Sequence, residues 1–228
     1  MIDTLGIPEE KVIYELPDTD NTLSTGPTAA SRTIMIVGAL AAKAAKHLKE
    51  IWVDGEEQEI VEPYVAPDYI KWDEETMQGD AYPGYSWGVN IVEVSFDPIT
   101  YQIKVEECWS VYDVGHCIDE RIMVGQADGG LVQALGYGYL ENEVAEQGKF
   151  RQKNLTDYIV PTMMDVPELH TAFIDNPFPY GAFGAKGAGE LTFVGGAPAI
   201  ALAIEMAISQ KINKIPANPE YIMEILNK

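Results

Sequence analysis

The sequence predicts an α+β fold in which a mixed sheet packs against helices, and three observations predict it. Strand-like runs at 88–96 and 101–112 flank the turn Asp97-Pro98-Ile99-Thr100 and read as a β-hairpin. Helical periodicity lies on both sides of that hairpin, over 29–49 and 125–144. A further strand near 169–174 and an apolar helix from Pro198 to Ser209 follow, so strands and helices intermix along the chain.

In chain order, "KVIYEL" at 11–16 alternates and predicts a strand. "DTDNTLSTGPTAASRT" is loop chemistry, rich in Thr, Ser, Asn, Asp and Gly. From Ala29 to Lys49, Ile34, Val37, Ala41, Ala44 and Leu48 recur at helical spacing, and Lys43, Lys46 and Lys49 gather where cations suit the helix dipole. Residues 51–80 are acidic and mixed, and predict a short element with an exposed insertion. The helical stretch 125–144 carries five glycines, each costing roughly 1 kcal/mol in a helix interior. Close approach of a backbone or a ligand is the usual offset for such a cost.

"NLTDYIVPTMMDVPELHTAFID" is a proline-punctuated loop leading into the 169–174 strand. A glycine-rich loop, "YGAFGAKGAGE", precedes the apolar helix. "NPEYIMEILNK" predicts a last helix with Asn218 at the N-cap and Pro219 at the first helical position. No repeat, low-complexity tract or linker interrupts the chain, so residues 1–228 are expected to form part of one domain with a possible insertion at about 51–80.

Composition limits the function classes. Fifteen Lys and Arg against 36 Asp and Glu give a formal net charge of −21, which disfavours nucleic acid and anionic membranes because phosphate contacts need clustered cations. Cys108 and Cys117 form neither a disulfide framework nor a CxxC, and are expected to be ordinary buried thiols. The N-terminus lacks the basic and apolar regions of a signal peptide, and no run approaches the ~18 apolar residues of a membrane span. A cytoplasmic, soluble protein is the resulting expectation.

Three segments carry candidate chemistry. "STGPTAAS" feeds a helix, where hydroxyls and helix N–H groups can meet an anion; helix capping by Ser24, Thr25 or Thr28 explains the same residues. Gln126 opens "GQADGG", and its amide could read a heterocycle edge-on or simply face solvent. Glu190 ends the glycine-rich loop, and no charge falls between it and Glu205. That apolar context favours burial, which raises a carboxyl pKa and makes a competent general base; a surface Glu at a helix start is the plain alternative. Lys186 is the only cation of the loop and could pair with an anion, pair with Glu190 or stay solvated. His47, His116 and His170 are scattered without ligand spacing, and no zinc or iron–sulfur pattern appears.

Taken together, these stretches resemble one family, the molybdenum hydroxylases of the xanthine dehydrogenase and aldehyde oxidase type. The resemblance is to the C-terminal half of the molybdopterin-binding subunit. It is carried by "PTAAS", "DVGHCID…VGQADGGLVQALGYGYLENE", "NLTDYIVPTMMDVPE", "NPFPYGAFGAKGAGELTFVGGAPAIALAIEMAI" and "IPANPEYIMEIL", in the family's order. It covers nearly all of the chain outside about 50–80.

The resemblance implies roles residue by residue. Glu190 matches the catalytic glutamate that takes a proton during hydroxylation of an electron-poor carbon, in an N-heterocycle or an aldehyde, with water as the oxygen source. Gly189 matches the position beside the metal, and Gln126 a glutamine that hydrogen-bonds the pterin. Thr28, Ala29, Ala30 and Ser31 match a turn contacting the cofactor, with Ala30 bordering the substrate. Molybdenum is held by the dithiolene of molybdopterin, possibly as a dinucleotide, so no protein metal ligand is implied.

The implied partners are an upstream molybdopterin subunit, a 2Fe–2S subunit and an FAD subunit. Two departures stand out. The family's Asn-Pro turn after "DVG" is replaced by "HCIDERI", and the upstream half of the molybdenum subunit is not in this sequence. The chain is therefore expected to be a separate subunit of a split enzyme, inactive alone, or else a non-catalytic fragment or interaction module.

Overall fold

Residues 2–227 are described by a computed structural model. Their internal contacts divide them into two units: residues up to Tyr85 with Asn176–Gly187, and Ser86–Asp175 with the residues from Ala188 onward.

The first unit holds α1 (Ile2–Leu5), α2 (Thr33–Ile51) and a two-rung hairpin of β1 (Trp72–Asp73) and β2 (Gln78–Gly79). Helix α2 begins later than its apolar periodicity predicts. Ala30 and Ser31 take left-handed φ values of 51° and 55°, which a right-handed helix cannot contain. The helix buries Met35 and Ala45. Gly38 permits the 181–187 loop to lie on it, because a Cβ there would stand 3.2 Å from the Ala182 Cβ.

The acidic stretch after α2 folds back to it. Glu62 pairs with Lys43 at 2.7 Å and with His47 at 3.2 Å, and these charges hold its carboxyl below the usual range. The strand predicted at 11–16 does not form. A strand exists only by pairing, none of the described residues pairs with this one, and Ile13, Tyr14 and Leu16 stand exposed.

In the second unit β3 (Trp87–Phe96) and β4 (Ile103–Asp113) form the predicted antiparallel hairpin, with a register shift at Glu93/Val94. The Asp97 carboxylate closes its turn, accepting from the Ile99 N–H and the Thr100 hydroxyl at 2.8 Å each. Helix α3 (Glu120–Leu135) follows and widens into a π-turn over Gly136–Leu140, so the helix stops short of the predicted residue 144. A small hairpin, β5 (Ala145–Glu146) with β6 (Lys149–Phe150), leads to β7 (Glu168–Ile174). Strand β7 lies parallel to β4, giving a mixed sheet of order β3-β4-β7.

The chain ends with α4 (Leu191–Val194), α5 (Gly196–Ile208) and α6 (Pro219–Leu226). Asn218 caps α6 as predicted, its side chain accepting from the Tyr221 N–H at 3.0 Å.

Alternation along the strands sends one face of the sheet inward. Val105 and Cys108 of β4 pack with Leu131, Leu135, Ile200, Ile204, Ile208 and Ile222 in one core cluster. Fully burying an Ile contributes about 1.5–3 kcal/mol, so the isoleucines of α5 anchor that helix. By length and composition Leu191–Ile208, 18 residues of mean hydropathy 1.8, could cross a membrane, a length not predicted above. Ala197, Ile200 and Ile204 of this stretch are buried, as in the core helix of a globular unit.

Candidate functional site

In the second unit the site is built on α3. Asp119 caps the helix, accepting from the N–H groups of Arg121 and Ile122, and these bonds hold its carboxyl below the usual range. Helical spacing buries Ala127, Gly130, Leu131 and Ala134, and leaves Gln126 exposed on another face. Three of the five glycines are explained by close packing. A Cβ would lie 2.1 Å from the Thr192 hydroxyl at Gly130, 2.3 Å from Glu141 Oε1 at Gly136, and 2.4 Å from an Ile200 methyl at Gly138. A Cβ at Gly125 or Gly129 would meet nothing, so the backbone beside Gln126 is open.

Gln126 reaches across to the loop carrying Glu190: its Nε2 donates to the Gly189 carbonyl at 2.8 Å. Its own carbonyl accepts from the Thr192 hydroxyl at 3.2 Å. Two bonds from one residue thus bracket Glu190. They leave the Gln126 Oε1 and one Nε2 hydrogen without a hydrogen bond among the described residues.

A buried polar chain stands behind them. Asn90 Nδ2 donates to Ser110 Oγ at 2.7 Å and to the Tyr112 hydroxyl at 2.8 Å, and Tyr112 donates to the Thr192 carbonyl at 3.4 Å. Ser110, Tyr112 and Thr192 are buried, so this chain fixes the first turn of α4 from below. Sequence reasoning missed Asn90, Ser110, Tyr112 and Thr192. The signal available was a run of polar residues on the inward phase of the strands.

Glu190 is exposed and stands at the N-terminal flank of α4, which corrects the expectation of burial. The apolar residues after it turn into the core from α5, while the residue preceding the helix stays outside. Asp128, also on α3, has its carboxyl pushed up by burial.

The first unit holds the other predicted segment. Two successive left-handed residues, Ala30 and Ser31, cost roughly 1–2 kcal/mol each. The Gly187 backbone presses on them: a Cβ there would lie 2.1 Å from the Ser31 carbonyl oxygen. "PTAAS" and the glycine-rich loop are therefore neighbours. Simple helix capping is not what the hydroxyls do. Arg32 is the N-cap of α2 without a side-chain bond, and the Thr28 hydroxyl pairs with that of Thr33 at 2.9 Å. Lys186 is buried, so it is not a solvated surface cation.

Each histidine has a carboxylate beside it, although their spacing in sequence shows no pattern. His47 meets Glu62, His116 meets Asp175 at 2.9 Å, and His170 lies 3.1 Å from Glu107 and 3.6 Å from Glu168. The Glu107, Glu168 and His170 ligand atoms lie within 4.8 Å of one another, a grouping that could hold a cation. Nothing in the sequence pattern predicts this cluster, because the register of β4 with β7 joins residues some sixty positions apart.

This chain belongs to the family of molybdopterin cofactor-binding domains, whose model matches residues 1–59 and 51–167. Among individual proteins, it is 32% identical over 141 residues to the putative xanthine dehydrogenase molybdenum-binding subunit of Escherichia coli, covering 61% of this chain and 19% of that protein. It is 28% identical over 237 residues to the aldehyde oxidoreductase of Megalodesulfovibrio gigas, covering 97% of this chain and 26% of that one. The crystal structure of the aldehyde oxidoreductase from Desulfovibrio gigas superposes on all of this chain with a TM-score of 0.84 at 27% identity, covering 26% of that structure. The chain thus spans about a fifth to a quarter of the length of these relatives.

The residues present fit the family's cofactor. An open helix backbone at Gly125 and Gly129 and an amide with spare donor and acceptor capacity at Gln126 suit a flat heterocycle with hydrogen-bonding edges.

Proposed function

We propose that this chain is the C-terminal molybdopterin-binding portion of a multi-subunit molybdenum hydroxylase. In this reading the enzyme hydroxylates a carbon of an N-heterocycle or an aldehyde with oxygen from water. The observation that carries it is the Gln126–Gly189 hydrogen bond, which joins the proposed pterin-reading amide to the residue before the proposed base.

The cofactor, when bound, supplies the metal and the redox chemistry. Everything else is done by side chains and backbone. Gln126 offers its free Oε1 and N–H to the pterin edge. Gly125 and Gly129 keep the neighbouring helix surface bare, and Gly189 keeps the loop close to the cofactor. The Glu190 carboxylate receives the proton released as water becomes the new hydroxyl oxygen. Its exposure in this chain is consistent with a wall supplied by another polypeptide, since a general base gains strength when water is excluded. Thr28, Ala29, Ala30 and Ser31 contact the cofactor, and Ala30 borders the substrate. An upstream molybdopterin polypeptide, a 2Fe–2S subunit and an FAD subunit complete the enzyme in the cytoplasm.

The test is co-purification of the assembled complex followed by metal analysis and assay of Glu190→Gln. We expect molybdenum content to be retained and turnover to fall about 10²-fold or more, the usual cost of losing a general base. Near wild-type turnover removes Glu190 from the mechanism. A complex without molybdenum favours the alternative of a non-catalytic module that retains the fold.

A further inference from the structure

Among the described residues of the second unit, none covers the outward face of the β3-β4-β7 sheet. Strand alternation places Trp87, Val89, Ile91 and Glu93 of β3 on it, and these residues are exposed. Register carries the face onto Glu107, Trp109 and Val111 of β4, and onto Glu168, His170, Ala172 and Ile174 of β7. Trp87, Val89 and Ile91 are 67%, 62% and 60% exposed, and Val111 and Ile174 are exposed beside them.

This patch spans three strands by about seven residues. At about 4.8 Å between strands and 3.3 Å per residue it covers about 300 Å², the size of a functional patch on a folded protein. A standard interface buries about 800 Å² per partner, so the patch is the size of an interface core.

At one end the apolar field stops at a row of three glutamates. Glu93 lies opposite Glu107, and Glu107 opposite Glu168, in direct cross-strand register. Like charges so placed destabilise a sheet. His170 sits beside two of them, at 3.1 Å from Glu107 and 3.6 Å from Glu168, and stacks on Trp109 at 5.6 Å between ring centroids.

We propose that this face is the docking surface for the polypeptide that supplies the remaining molybdenum-binding length, and that the surface it presents is an apolar patch edged with Lys and Arg. The proposal rests on the functional reading above. Three observations choose the occupant. Within the second unit the face is uncovered, so none of that unit's described residues is its cover. The whole chain matches only 26% of the aldehyde oxidoreductase structure, so about three quarters of such an assembly lies outside it. A second copy and an anionic bilayer would each meet charge repulsion on a chain of net charge −21. An apolar centre with a charged rim is the ordinary anatomy of a protein–protein interface.

The probe is the source cell's own polypeptide that aligns with the upstream part of the aldehyde oxidoreductase, purified and titrated against this 228-residue chain. We expect binding, with amide exchange protection over Trp87–Glu93 and Glu107–Val111. Ile91→Lys should weaken binding about 30-fold or more, as for a hot-spot position, at an unchanged urea midpoint because Ile91 lies outside the core. Glu107→Gln should flatten the salt dependence of association.

Binding that survives Ile91→Lys within twofold, with protection elsewhere, overturns the docking surface and leaves the partner reading standing. Dimerisation of the chain alone through this face also overturns it. Absence of any binding removes the partner reading itself, and the surface with it.

Discussion

The five glycines of the 125–144 stretch allow one substitution to be tested for opposite signs within a single helix. At Gly130 a Cβ would stand 2.1 Å from the Thr192 hydroxyl oxygen and 2.9 Å from its Cβ, where ordinary contact begins at 3.4 Å. Thr192 is fully buried and its hydroxyl is bonded to the Gln126 carbonyl, so Gly130→Ala must push it by more than an ångström. Overpacking of this kind costs about 1–3 kcal/mol. Losing the Thr192 hydrogen bond adds about 1 kcal/mol. Replacing a helix-interior glycine returns about 1 kcal/mol. The expected net effect is a destabilisation of about 1–3 kcal/mol.

At Gly125 and Gly129 nothing lies within 4 Å of the added methyl, so only the propensity gain remains. Alanine there should stabilise by about 0.5–1 kcal/mol. Urea titrations of the 228-residue chain followed by far-UV circular dichroism read all three variants against wild type. A neutral or stabilising Gly130→Ala, or a Gly129→Ala that loses stability, would refute the packing argument.

Two further outcomes follow from the titrating groups. Lys43 and His47 hold the Glu62 carboxyl below its ordinary value of 4.5, so its folded pKa lies under its unfolded one. The stability it contributes is present above that ordinary value and is lost as pH falls through the folded pKa. The gap in urea midpoint between wild type and Glu62→Gln should therefore be constant at neutral pH and close below about 4.5; a pH-independent gap refutes the pairing. Burial pushes the Cys108 thiol up to about 12, and burial with Glu120 and Asp119 raises that of Cys117. Iodoacetamide at neutral pH should leave Cys108 unlabelled in the folded chain and label the partly exposed Cys117 slowly, as read by mass spectrometry. Native-state labelling of Cys108 at the rate of a free thiol would overturn its placement.

Elements whose pairing or capping is local were legible in the sequence. The Asp97 turn, the strands beside it, the Asn218-Pro219 helix start and the α5 periodicity all lie where short-range chemistry puts them. Misreadings came where a distant partner decides. "KVIYEL" has a strand pattern but no pairing strand among the described residues, so it stays extended and exposed. Helix α2 is delayed because two left-handed residues, pressed by Gly187, occupy the turn where periodicity alone would begin it. The site divides the same way. Gln126 and Glu190 could be chosen from residue type and glycine context, whereas Asn90, Ser110, Tyr112 and Thr192 act only through contacts 20 to 80 positions apart in sequence.

By itself the sequence determined the groups proposed to meet a cofactor: an amide, a carboxylate, glycine backbone and a hydroxyl-bearing turn in a fixed order. Order along a chain specifies neighbours only over a few residues, because turn and helix geometry are local. The tertiary structure decided which of these groups touch. It bonded Gln126 to Gly189, set Thr192 beneath Glu190, left that carboxylate exposed, and aligned three glutamates across separate strands. Those outcomes follow from sheet register and helix packing, which depend on contacts among residues far apart in the chain.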